Sequence, residues 1–153
     1  MNRAFLIHLF LMVLGYGLAV LVASTITVFV IFAPTVFPDN GAWGSAYKTL
    51  RELPLFLIFG AFYTAMFALP GWLMTAIAAE YRNVRGKFWF AFAGLLTAIL
   101  AHSIALVFAD RMFAAPLIVS GSLVGGLCGG IIYWAVVGKR SGVWKAISKR
   151  ETA

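Results

Sequence analysis

Four long stretches of this chain carry no Lys, Arg, Asp or Glu: residues 4–32, 54–79, 88–109 and 112–137. A bilayer core about 30 Å thick is crossed by about 20 helical residues at ~1.5 Å each. Each stretch meets that length. Membrane strands alternate apolar and polar residues over about 10 positions, and these stretches are apolar all round. The pattern predicts an all-α integral membrane protein, a four-transmembrane-helix bundle forming one membrane domain over residues 1–153.

Composition narrows the class further. Hydrophobic residues make up 63% and charged residues 11% of the chain, against about 45–50% and 25% in soluble domains. A soluble globular domain and a disordered chain are excluded. Cys128 is the sole cysteine, so a disulfide framework is excluded too. The start, Met1–Asn2–Arg3 and then an apolar run, imitates a secretory signal. Signal cores span about 7–15 residues, and this run is longer, so an uncleaved first span is expected.

The connections are short. Residues 33–53 form the longest, with Pro34, Pro38, Asp39, Asn40, Gly41 and Gly44. Trp43, Tyr47 and Leu50 share a helical face there, which predicts a short helix lying in the headgroup layer of an outer loop. Pro54 suits the first turn of the second span, where a missing N–H costs nothing. Residues 80–87 and Asp110–Arg111 make the other turns. Residues 138–153 form a basic tail in which Val143, Trp144 and Ile147 share a face beside Lys145, Lys149 and Arg150, suited to an anionic leaflet or simply solvated.

Positive charge sets the orientation. Arg3, Arg82, Arg85, Lys87, Lys139, Arg140, Lys145, Lys149 and Arg150 fall on one side, and Lys48, Arg51 and Arg111 on the other. The excess predicts both termini in the cytoplasm, in what is expected to be a bacterial inner membrane. Tyr81, Trp89, Tyr133 and Trp134 are expected to mark the inner interface. The net charge of +7 is explained by this topology, and no nucleic-acid partner is expected.

Lipid tails are as apolar as leucine, so helices associate through close contact at small residues. The first span offers Gly15, Ala19, Ala23 and Thr27; the second Gly60, Thr64 and Ala68; the third Gly94, Ala98 and His102. The fourth offers two rows: Gly121, Gly125 and Gly129, then Ser122, Gly126 and Gly130. Successive residues lie about 100° apart on a helix, so these rows are two faces. Either both meet helices of this chain, or one meets another protein or a second copy.

Groups that could carry chemistry are few. Asp39, Glu52, Glu80, Asp110 and Glu151 all fall at span ends, in loops or in the tail, so no buried acid is expected. His102 is the titratable residue deep in a span. It is read either as a polar contact for a substrate or as a neutral imidazole bonded to Ser103, Thr25, Thr27 or a carbonyl. His8 lies too near its span's start to share a metal or haem with His102. Pro70–Gly71 breaks the bond to the Met66 carbonyl and is either a packing kink or a hinge. No catalytic residue, metal site or cofactor is predicted.

The leading expectation is a non-enzymatic accessory, scaffolding or assembly subunit that binds lipid or other membrane proteins. The alternative is a small transporter or channel for a neutral or lipidic substrate, with Pro70 as hinge and His102 as polar contact. A headgroup-layer enzyme would need Lys48, Arg51, Glu52, Asp110 and Arg111 to converge.

Overall fold

The computed structural model describes residues 3–36, 43–108 and 115–141. They form four α-helices, each long and apolar enough to cross a membrane. Helix α1 is Arg3–Val36, α2 is Trp43–Arg82, α3 is Lys87–Phe108 and α4 is Pro116–Val136; a 3-10 turn follows at Gly138–Arg140.

Several boundaries differ from expectation: α1 runs on to Val36 beyond residue 32, α2 both starts before and ends after residues 54–79, and α4 starts after residue 112. The stretch expected as a separate surface helix is the first part of α2, which begins at Trp43 and runs through both Pro54 and Pro70. Pro54 removes one helical bond, but Ala46, Lys48, Leu50, Arg51, Glu52 and Leu53 before it are mostly strong helix formers, and the helix propagates across the gap. The fourth helix starts at Pro116 rather than near residue 112, with Ala115 as an extended N-cap. A proline at N1 gives up an N–H that would have no helical partner.

Helix α2 stops at Asn83, whose φ of 56° is left-handed, a conformation Asn tolerates at a helix end. The Val84 N–H then donates to Ala79 O at 3.0 Å. This turn is tied to the end of α4. Trp134 Nε1 donates to Arg85 O at 2.8 Å, and Arg85 Nε donates to Ser141 O at 3.1 Å.

The helices form an antiparallel ring in chain order, with α4 closing on α1. His8 meets Glu80, Tyr16 meets Trp72, and Phe32 meets Phe56, so α1 and α2 run in opposite directions in steady register. Helix α4 packs closely on two sides. A Cβ at Gly125 would lie 2.6 Å from Ala23 O, and one at Gly129 would lie 3.0 Å from Ala19 O. On its other face, a Cβ at Gly126 would lie 2.5 Å from Ala98 Cβ, and one at Gly130 would strike Phe90 O. Backbones at this spacing gain dispersion contact that larger side chains would prevent.

The tightest packing gathers at one end. Met12, Ala76, Ala79, Phe90, Tyr133 and Val137 form a buried cluster where α1 and α3 begin and α2 and α4 finish. Tyr133, expected at the membrane surface, is instead turned into this cluster. Its position one turn beyond Gly129 places it on the face that packs inward. Tyr81 and Trp89 remain on the outside.

Candidate functional site: a cavity inside the bundle

Beyond that cluster the interior opens. A cavity of about 420 Å³ lies between the helices and is lined by all four. Its wall on α1 runs from Tyr16 to Phe32, and on α2 from Phe56 to Thr75. Small residues account for the space: Ala19, Ala23, Gly60, Ala68, Gly94, Ala98 and Ala101 all face it. Tyr16, Trp72, Phe90 and Tyr133 lie at its lower end, Phe90 and Tyr133 being part of the buried cluster as well.

The lining is overwhelmingly apolar, and four of its hydroxyls bond backbone carbonyls. Ser24 Oγ donates to Leu21 O at 3.0 Å, Thr27 Oγ1 to Ala23 O at 2.9 Å, and Thr75 Oγ1 to Gly71 O at 2.8 Å. The Tyr16 hydroxyl donates to Ala65 O across the α1–α2 contact. Serine and threonine in helices commonly bond a carbonyl one turn back, which leaves little polarity for the interior.

His102 lines the cavity. The partners expected for it are engaged elsewhere: Ser103 Oγ donates to Ile99 O at 2.8 Å, Thr25 Oγ1 to Leu21 O at 2.7 Å, and Thr27 to Ala23 O. His102 Nε2 and Trp72 Nε1 are buried atoms without a hydrogen-bond partner among the described residues. Trp72 lies against Tyr16 at a tilt of 32° with 4.5 Å between ring centroids and meets Tyr133 edge-on at 6.3 Å.

Below the floor lies a pair that the sequence reading missed. His8 Nε2 and Glu80 Oε1 are 2.8 Å apart, with side chains 5% and 3% exposed. Glu80 was expected at a span end, opening the turn of residues 80–87. Helix α2 continues to Arg82, so Glu80 sits inside it, one turn after the buried Ala76 and on the same inward face. The signal was present: an acid four residues beyond an inward alanine, and a histidine at matching depth on the antiparallel first span.

No known protein family, curated protein or solved structure matches this chain.

The remaining candidates are scattered. Gly121, Gly125 and Gly129 face α1, Gly126 and Gly130 face α3, and Ser122 lines the cavity. Pro70 is exposed, and a Cβ at its neighbour Gly71 would lie 2.8 Å from Thr97 Cγ2, so this pair marks the α2–α3 contact. Arg51 and Glu52 are exposed. The Lys48 side chain, Asp110 and Arg111 lie outside the described residues, as does the tail beyond Ser141. Among the described residues, no three His, Cys, Asp or Glu side chains come together to hold a metal.

Proposed function

We propose that this protein is a membrane-embedded binding protein, or small carrier, that holds a lipidic molecule between its helices. The cavity carries this reading. Its apolar wall is partly open to the outside of the bundle, with Phe56, Phe59 and Tyr63 exposed, and apolar atoms facing a void forfeit dispersion contact until something fills it. Water suits the wall poorly, since a buried water needs two to four polar partners and, beside His102 Nε2 and Trp72 Nε1, the wall is almost wholly apolar. An apolar guest fills the space without that penalty.

The accessory-subunit reading drew on the two-faced glycine helix, the surface-active loop and tail, and the lack of catalytic polar groups. Both glycine rows of α4 meet helices of this chain, so they give that reading no support. The bilayer itself is the proposed surrounding partner, with both termini on the cytoplasmic side as the uneven positive charge suggests. His102 is retained as part of the cavity wall, and Pro70–Gly71 as the point about which α2 would flex to admit a guest.

The test is chemical. Protein purified in detergent and extracted with organic solvent is expected to release a lipidic molecule in near-stoichiometric amount. An Ala68→Phe variant, which fills the cavity from α2, should release much less while eluting as the same folded species. Equal, trace yields from both proteins would overturn the reading.

A further inference from the structure

The open side of the cavity decides what can enter it. Phe56, Phe59 and Tyr63 line the cavity and are also exposed on the outside of the bundle. They recur at i, i+3 and i+7, a single stripe along α2. The α1–α2 seam beside them is closed. Phe32 meets Phe56, a Cβ at Gly60 would lie 3.2 Å from Val28 Cγ2, and the Tyr16 hydroxyl bonds Ala65 O. Phe56, Phe59 and Tyr63 lie about 40°, 100° and 60° round the helix from Gly60, and Ala65 about 140° round the other way. The stripe is therefore turned away from α1 and toward α3, the other neighbour of α2. Low in that second seam, a Cβ at Gly71 would lie 2.8 Å from Thr97 Cγ2. Higher up, α3 faces the cavity with Ala98, Ala101 and Ala105, whose side chains are too short to close the gap.

Depth decides what lies outside the opening. The apolar span of α2 is Arg51–Arg82, 32 residues. A hydrocarbon core about 30 Å thick and centred on that span covers about 20 of them, roughly residues 57–76. Phe59 and Tyr63 fall inside it, so in a bilayer the opening faces acyl chains rather than water. An ionised lipid head drawn through it would exchange its hydration for an almost wholly apolar wall, at high cost. Arg51 and Glu52 are exposed at the end of the span, and Phe56 lies one turn further in than Glu52. A head can stay at that level while its tail turns inward.

Resting on the lipid-binding reading above, we propose that an acyl tail of a bilayer phospholipid enters the cavity sideways. It passes between α2 and α3 beside Phe59 and Tyr63, while its head stays outside at the level of Arg51 and Glu52.

Photolabelling tests this. The full-length protein is placed in nanodiscs doped with phosphatidylcholine that carries a diazirine midway along a tail, near the start of a tail, or in the head. Mass spectrometry of peptides locates the label. The mid-tail probe should mark Ala98 and Ser122 on the inner wall. Ala68→Phe and, separately, Ala101→Phe should lower that labelling several-fold while keeping the elution profile and helical circular dichroism of the parent. Ile58, on the outward face, should be labelled alike in all three proteins. The upper-tail probe should mark Phe59 or Tyr63. If it marks Phe32 and Ile118 instead, the tail enters from the end of the bundle and the sideways route is overturned. Head labelling of Ala98 or Ser122 would show that the lipid is taken in whole, and the proposal falls while lipid binding stands. Mid-tail labelling confined to Ile58 overturns the proposal. Lipid binding then survives only if solvent extraction of the purified protein releases a different lipidic molecule, and with none released both readings fail.

Discussion

At the scale of single residues, the His8–Glu80 pair has the greatest thermodynamic consequence. Both groups are withdrawn from water. Removing one partner of such a pair costs about 3–5 kcal/mol, because the other loses its compensation, whereas replacing both by apolar groups is often neutral. His8→Leu and Glu80→Leu should each lower thermal stability in detergent substantially. The double variant should be more stable than the sum of the two losses implies. Simple additivity would show that the two side chains do not act as a pair. Neither partner revealed this role by type alone. Glu80 follows the long uncharged stretch and resembles the first residue of a polar turn. Only the extension of α2 to Arg82 turns it inward.

At the scale of elements, α4 is the helix on which the others are gauged. Its small residues were plain in the sequence, with their spacing of four. Which neighbours they would meet was not, because spacing defines a face and says nothing of what lies opposite. Gly130 is the most constrained. A Cβ there would meet Phe90 O and lie 3.2 Å from Ala91 Cα, both backbone atoms that can yield only if α3 moves. Gly17 has nothing within 4 Å of its own Cβ position. Gly130→Ala should therefore destabilise the bundle by about 1–3 kcal/mol, the usual cost of overpacking. Gly17→Ala should be neutral or stabilising by up to about 1 kcal/mol through helix propensity. Thermal unfolding of the two variants side by side makes the comparison, and equal shifts would refute it. The boundaries of α2 were the least legible part of the fold. Pro54 reads locally as a start signal, and the helix formers before it decide otherwise.

At the scale of the whole molecule, the existence of four apolar helices follows directly from the uncharged stretches. The cavity does not. It arises where small residues on all four helices face the same axis, while α4 keeps close to α1 and α3 and long side chains of α2 such as Ile58, Phe62, Met66 and Met74 point outward. No pattern within one helix reports that sum. Orientation remains an expectation from charge, and it is open to a direct check. Reporter fusions at both ends, active on only one side of a membrane, should place Met1 and Ala153 together in the cytoplasm. Opposite locations would mean an odd number of crossings.

The packed base beneath Trp72 and Tyr133 has a last consequence for traffic. A molecule lodged above it has no way out through the foot of the bundle, and anything moving along the bundle axis would first have to part the histidine–glutamate latch and the rings above it.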